Sequence, residues 1–237
     1  MSVQFNDIGI DSSLDWARIK KLMTIGLIAA VMVFAGDWML GYGVRDESLH
    51  GIEKWLSNYA RLSDKTLFWS ALLGFIGIPL EGLSYFGVYR LMAEKSPEHA
   101  HMYRSGILGY LMFGGCGVHV PCLALVFVYN HVRAMDSAAA LVLVTKYAGY
   151  FLLPGMIMFA IFFVVHSIAQ ISAFAKGFTP YPKWCWIFSV PVGMAAAFLF
   201  HLAGNNAFAH GITAAWISIG NIWMFGGLLL MMKKIQL

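Results

Sequence analysis

Long apolar stretches separated by short polar segments dominate the chain. Six stretches have the length and composition of membrane helices, namely residues 22–42, 67–92, 105–131, 142–174, 185–204 and 209–232. About 20 apolar residues in a helix cross a hydrocarbon core about 30 Å thick. A spanning segment must satisfy its backbone hydrogen bonds internally, and these stretches are too long for barrel strands. The pattern predicts an all-α polytopic transmembrane bundle of six helices.

The polar segments predict little structure outside the bundle. Residues 12–21 predict a short interfacial helix, with Ser12 suited to cap it and Trp16 beside basic residues. The longest connection, residues 43–66, is too small to bury a core of its own. It predicts a short helix over the bundle mouth, with Trp55 and Tyr59 on its apolar side. We therefore expect a single transmembrane domain over residues 1–237.

Composition supports the membrane assignment. The 237 residues are 59% hydrophobic and 12% charged, with a mean hydropathy of +0.70, whereas soluble domains have about 25% charged residues. Binding of the basic residues to phospholipid headgroups explains the modest net charge of +4. No nucleic acid partner is therefore expected. The expected partners are membrane lipids and a hydrophobic small molecule. The three cysteines lie in or beside apolar stretches, so no extracellular disulfide framework is indicated.

Basic residues predict the orientation. Ten of the 16 Lys and Arg residues fall in the two termini and in the second and fourth connections. Because cytoplasmic segments carry the excess of Lys and Arg, both termini are predicted to be cytoplasmic, in a plasma or inner membrane. The first residues lack the basic and then apolar order of a cleavable signal peptide. The first span is the expected insertion signal.

Proline and glycine within the spans predict kinked and closely packed helices. Each proline frees a backbone carbonyl and bends its helix. The glycines allow close backbone approach, which is the usual packing device in membranes. The prolines are Pro79, Pro121, Pro154 and Pro191, and the glycines are Gly74, Gly77 and the GGCG run at 114–117. The two halves show no inverted repeat of the kind found in transporters.

Ionisable side chains within the spans carry the functional hypothesis. Such a side chain at mid-bilayer costs at least ~2.5–3.5 kcal/mol, so each should face the bundle interior and find a partner. Glu81 is too deep to reach water easily and shares a helix face with Tyr85 and Tyr89. Asp37, near the outer surface, has the simpler alternative of pairing with Arg45. The candidate catalytic residues are Glu81, His119, His166 and Asp37.

The last span predicts the wall of a cavity. Eleven residues separate His210 from Asn221, which is three turns and about 20° of a straight helix, so both should point the same way. A tight turn at Asn205 and Asn206 should bring His201 close to His210, although these asparagines could simply close a helical hairpin. We expect the cavity to open to the outer half of the bilayer, bounded by spans 1, 2, 3, 4 and 6. The candidate ligand-binding residues are Tyr85, Tyr89, His210, Asn221, Trp38 and Trp223.

Acid and base chemistry is the function that this set favours. A desolvated carboxyl beside an imidazole supplies groups tuned for proton transfer. Aromatic side chains can line an apolar slot and stabilise a developing cation. The hypothesis is a protein that binds, or acts by proton transfer on, a lipid, sterol or isoprenoid-like substrate and requires no cofactor. Isomerisation would suit it, but no motif aligns with the sterol isomerases.

Alternatives remain from other classes. Zinc held by His119, His201, His210 and Asp37 would suit a lipid hydrolase, although the sequence has no HExxH motif. Haem b between His119 and His201 is a further arrangement. Kinked helices around a polar centre also suit a small-solute or proton-coupled transporter. A purely structural bundle explains Asn and Gln better than a midplane Glu, since interhelical hydrogen bonds average only ~0.6 kcal/mol.

Overall fold

Helices account for nearly all of the regular structure. The computed structural model of the protein describes residues 14–232, and no strand occurs in that range. Ser12, the expected cap of an interfacial helix, lies outside it. The helices are α1 Trp16–Gly41, α2 Gly51–Ser57, α3 Asp64–Ser84, α4 Phe86–Ala93, α5 Pro97–Gly109, α6 Val120–Arg133, α7 Ser137–Tyr147, α8 Leu153–Ala175, α9 Val190–Phe198, α10 Ala207–Ala214 and α11 Trp216–Met232.

Several of these helices join into units that suit a membrane. Four continuous units are long and apolar enough to cross one, and they are Trp16–Gly41, Asp64–Ala93, Pro97–Arg133 and Ser137–Ala175. The pair α10 and α11 would make a fifth span, bent by 64°. The stretch 185–204 contains only a shorter apolar unit, Val190–Ala203. The all-helical, multi-pass prediction is confirmed, and the count of six spans stays a prediction.

The beginning of α1 differs from the predicted element. Residues 16–21, expected to form a separate interfacial helix, are the first turns of α1, which continues through the first span. Asp15 caps this helix because its side chain accepts a hydrogen bond from the Arg18 amide at 2.9 Å. The connection that follows α1 does contain the expected short helix, α2, although it ends at Ser57.

Two of the long units widen into π-helical segments beside their prolines. Tyr110–His119 precedes α6, which has Pro121 near its start, and Ala148–Leu152 precedes α8, which has Pro154 near its start. After each segment the next backbone N–H donates to the carbonyl five residues back. Proline cannot supply the ordinary bond to the fourth carbonyl back, so the register shifts. Such π turns are frequent at functional sites.

Glycine allows two of the helix crossings. A Cβ on Gly155 of α8 would overlap the backbone of Gly117, so the two units touch there without side chains. A Cβ on Gly77 of α3 would overlap Val33 and lie 3.1 Å from the Ala29 carbonyl of α1. These contacts agree with the packing role predicted for the glycines.

The first and last units run antiparallel. Gly26 of α1 lies against Phe225 of α11, whereas Gly41 of α1 lies against Ala214 of α10. The start of α1 and the end of α11 therefore share one end of the bundle, here called the terminal end. The opposite end bears residues 42–63 and 199–206 and is called the loop end.

Aromatic rings fill the centre of the bundle. Tyr85 is fully buried and contacts the rings of Tyr103, Tyr110, His166 and Phe225. Large apolar side chains also cover the outside, including Phe75, Phe151 and Ile161, each more than half exposed. A surface of this kind suits contact with lipid. The fold is that of a multi-pass membrane protein.

Candidate functional site

A cavity of about 450 Å³ extends from the loop end toward the centre of the bundle. Its lining is largely apolar and comes from both long and short helical units. Predicted spans 1, 2, 3, 4 and 6 all contribute. The unit at Val190–Ala203 contributes too, through Phe198 and His201, although the fifth predicted span was not among those expected to bound the cavity.

The central feature of the cavity wall is a carboxyl–imidazole pair. Asp37 of α1 and His119 of the first π segment lie with Oδ1 and Nδ1 3.4 Å apart. Ser218 of α11 donates to the other Asp37 oxygen at 2.9 Å. The His119 ring packs directly against Gly74, where a Cβ would overlap the imidazole. All but Gly74 line the cavity.

Hydrogen-bond chemistry places a proton between these two side chains. His119 Nε2 lies 3.2 Å from the Ser70 carbonyl oxygen, and a carbonyl only accepts, so Nε2 carries hydrogen. The other ring nitrogen faces the Asp37 carboxyl. The pair therefore shares one proton, either as imidazolium and carboxylate or as imidazole and carboxylic acid. The sequence named both residues as candidates, with pairing to Arg45 as the simpler alternative for Asp37.

A buried polar network lies behind the cavity wall. Tyr110, which lines the cavity, donates a short hydrogen bond to Glu81 Oε2. Asn221 donates to the Tyr110 oxygen at 3.3 Å and accepts from the Tyr85 hydroxyl at 2.5 Å. Glu81 is fully buried, and its other oxygen has no hydrogen-bond partner in the part of the chain that the structure describes. Glu81 does not line the cavity itself, and among the described residues Tyr110 connects it to the cavity by a hydrogen bond.

His166 lies apart from the cavity. Its ring stacks on Tyr103 with centroids 4.1 Å apart and meets Tyr85 at 4.4 Å. Gly106 of α5 provides the space, because a Cβ there would overlap the His166 side chain. Within residues 14–232 neither ring nitrogen has a hydrogen-bond partner. The structure does not bring His166 together with Asp37 and His119.

The last unit lines the cavity with a different geometry from the predicted straight ridge. The 64° bend between α10 and α11 separates His210 from Asn221. His210, Thr213 and Ile217 line the cavity, and Asn221 belongs to the buried network. The expectation that His210 and Asn221 point the same way along a straight helix is wrong, since it assumed an unbroken α10–α11.

Five of the six predicted ligand-binding residues do not line the cavity, and His210 is the exception. Tyr85 and Asn221 belong to the buried network. Trp38 packs against Gly211 and Phe208 on the outer side of α1. Trp223 donates its Nε1–H to the Ile187 carbonyl at 2.7 Å. Tyr89 lies beside Phe86, with ring centroids 5.9 Å apart. Trp223 therefore contacts another segment and Tyr89 a neighbour in its own helix, whereas Trp38 also lines a second pocket of about 510 Å³ with Phe34 and Tyr42.

Metal and haem ligation find little support in the geometry. Over residues 14–232, no group of three or more His, Cys, Asp or Glu side chains could hold a metal ion. The alternative set of His119, His201, His210 and Asp37 is therefore not gathered into one site. Both His119 nitrogens already have partners, which also leaves no free nitrogen for haem iron between His119 and His201.

Sequence reasoning missed Tyr110 and Ser218. Ser218 lies one turn before Asn221, so helical spacing could have added it to the polar face. Tyr110 lies four residues before Gly114 in an otherwise apolar stretch. A single tyrosine there gives no signal of the buried carboxyl that it contacts.

Comparison with known proteins gives one match. The model of a family described as a family of unknown function (DUF6796) matches residues 5–235, which is nearly the whole chain. No curated protein and no solved structure matches the chain.

Proposed function

The chain belongs to this family of unknown function (DUF6796), and we propose that it binds a lipophilic ligand in the cavity at Asp37 and His119. The ligand would be of the lipid, sterol or isoprenoid class, and the pair would exchange a proton with it. The terminal end would face the cytoplasm, in a plasma or inner membrane, because the termini and the second and fourth connections carry most of the basic residues.

The observation that supports this proposal most directly is the cavity itself. Its volume of about 450 Å³ lies within the ~300–1,000 Å³ of small-molecule sites, which are mostly apolar with a few placed polar groups. Asp37 and His119 are the ionisable pair on that wall. A titratable pair in an apolar pocket is the arrangement that general acid and base catalysis uses.

A shared proton suits isomerisation of a carbon–carbon double bond. The pair would donate its proton to one alkene carbon, and the adjacent carbon would become cationic. Loss of a proton from the next carbon to the pair would form the new double bond and restore the starting state. The rings of Trp55, Tyr59 and Trp216 line the same cavity and would stabilise the transient cation. Substrate and product are isomers, so no oxidant or reductant is needed.

A proton-coupled transporter is the second candidate function. It is favoured by the chain of hydrogen bonds that leads from cavity-lining Tyr110 to Glu81, Asn221 and Tyr85. In that case Glu81→Gln would abolish the uptake of the transported solute into proteoliposomes that a pH gradient drives. An isomerase predicts turnover without any flux.

Deuterium incorporation tests the proposed chemistry. The protein, in nanodiscs made from the lipid extract of its expression host, is incubated in D₂O, and the extracted lipids are analysed by mass spectrometry. Asp37→Asn should reduce the rate of deuterium entry into one lipid species about 100-fold, the lower end of what positioned acid–base groups contribute. The amount of that lipid bound to the protein should change less than about tenfold.

The chain offers a matched control. Asp64 and His131 form an exposed carboxyl–imidazole contact at the loop end, with Oδ2 and Nε2 3.6 Å apart, away from the cavity. Asp64→Asn should leave deuterium incorporation unchanged. Equal rates in the wild type and Asp37→Asn would refute proton transfer by the pair.

A further inference from the structure

We infer that the ligand is an amphiphile whose negatively charged acid group, a carboxylate or a phosphate, pairs with Arg45 at the loop end of the cavity. This inference rests on the proposed function and names its ligand class. Arg45 lines the cavity together with Asn58, Tyr59 and His210.

Arg45 forms no close ion pair among the described residues, although its charge acts on the Glu47 carboxyl. Within residues 14–232 its guanidinium makes no ion pair, and its Nε is shielded from solvent without a hydrogen-bond partner. Arg45 as a whole is partly exposed, but a shielded donor without a partner costs free energy. The acid group of a bound ligand would supply that partner.

The nearby carboxylates are already engaged by other donors. Glu47 forms an ion pair with Lys54 and accepts from Asn205 at 2.6 Å; the hydrogen bond from Lys54 holds the pKa of the Glu47 carboxyl below its usual range. Asp46 accepts from the Ser48 hydroxyl at 2.6 Å. Asp37, deeper in the cavity, faces His119. Among the described residues that line the cavity, Arg45 is the only Lys or Arg side chain, and the carboxylates near it are engaged mainly by other donors.

The backbone of Arg45 is held in place before any ligand binds. Asn205 accepts from the Arg45 amide at 3.0 Å and donates to the Arg45 carbonyl at 2.9 Å. This pair of bonds ties the connection after α1 to the turn before α10. A cation on a fixed backbone loses less conformational freedom on binding, which favours affinity.

Neutral polar side chains surround the same end of the cavity. His210 Nδ1 lies 2.7 Å from the Gly43 carbonyl and must donate to it, so in the neutral ring Nε2 is an acceptor. Burial raises the pKa of Tyr59 to about 12, so its hydroxyl stays a donor at neutral pH. Arg45 and the Tyr59 hydroxyl together offer several donors, which suit the acceptor oxygens of a carboxylate or phosphate.

The rest of the cavity suits a hydrocarbon chain. Deeper lining residues are apolar, among them Val118, Leu152 and Phe159. With the acid group at Arg45, the chain would pass Asp37 and His119, so the proton-transfer pair would act on the chain and leave the head group unchanged.

Three probes with one chain test the head group. Oleate, oleyl phosphate and oleyl alcohol are titrated against the full-length protein in nanodiscs of zwitterionic phosphatidylcholine. At least one of the two acids should bind the wild type about tenfold or more tightly than the alcohol, because hydrogen bonds to charged groups are the stronger ones. Inorganic phosphate in large excess should not displace the bound acid.

Two arginine variants locate the charge contact. Arg45→Gln should weaken binding of the acid about tenfold or more and leave binding of the alcohol unchanged. Arg61→Gln is the matched control, because Arg61 lies in the same connection, is exposed and does not line the cavity. It should bind all three probes as the wild type does.

The possible failures are distinguishable. Equal binding of acids and alcohol, or acid binding that Arg45→Gln does not weaken, overturns the acid-group assignment and leaves the proposed proton transfer standing. Displacement by inorganic phosphate shows a site for the free anion and overturns the amphiphile. Failure of deuterium incorporation with Arg45-dependent acid binding overturns the chemistry and keeps the ligand class.

Discussion

At the residue scale, the site depends on polar partners that come from distant parts of the chain. Glu81 was predictable as a buried carboxyl with an interior partner, because its cost in the membrane requires one. Its actual partner, Tyr110, lies on another span and follows only from the packing. The same holds for Asp37 and His119. Helical spacing finds neighbours on one helix, whereas contacts between helices depend on their crossings.

Tyr110→Phe tests the buried network at this scale. The change removes the hydroxyl that donates to Glu81 and accepts from Asn221. Buried polar groups left without partners cost ~1–3 kcal/mol, so the free energy of unfolding should fall by about that amount. The measurement is equilibrium unfolding in mixed detergent micelles.

Tyr150→Phe is the control for that measurement, because Tyr150 is 75% exposed on the outer surface. It should unfold as the wild type does. A Tyr110→Phe protein as stable as the Tyr150→Phe protein would mean that the network contributes no stability.

At the scale of the element, the sequence predicted some of the positions at which helices depart from regular α-helical geometry. It did not predict the form of the departure. Pro121 and Pro154 marked two deviations correctly, but these take the form of π segments that widen the helix toward the cavity. The 64° bend between α10 and α11 has no proline near it, so nothing in the sequence signals it. Angular arithmetic over His210 and Asn221 failed there, since it holds only along an unbroken helix.

The loop end makes its own prediction at this scale. Asn205→Ala removes both side-chain bonds to the Arg45 backbone, so the Arg45 amide should exchange hydrogen at least about tenfold faster, which corresponds to the ~1.4 kcal/mol of a hydrogen bond. Hydrogen exchange followed by mass spectrometry measures it. The neighbouring Asp46 amide, which donates to the Ser57 hydroxyl at 2.8 Å, should keep its rate. Equal acceleration of both amides would instead indicate that the whole connection opens.

At the scale of the whole molecule, hydropathy was sufficient to predict the class of protein. It was insufficient to predict which side chains line the interior cavity. The apolar stretches correctly predicted a multi-pass helical protein. Composition could not show which aromatic residues pack against other helices and which line the cavity. Trp38 and Trp223 pack on other elements, whereas Trp55 and Trp216 line the cavity. Which surfaces face a shared space is set by how the units cross.

The most direct test of the central claim is whether filling the cavity expels a bound ligand. Gly114 lines the cavity, and a Cβ there would lie 3.4 Å from Ile78 and 3.5 Å from Phe159, so leucine would occupy the space. Gly115 follows in the same π segment, does not line the cavity and has only Ile78 at 3.9 Å. Native mass spectrometry of the purified protein measures the bound lipid. The wild type and Gly115→Leu should carry the same lipid, and Gly114→Leu should carry about tenfold less. Equal occupancy in Gly114→Leu and Gly115→Leu would contradict ligand binding in this cavity.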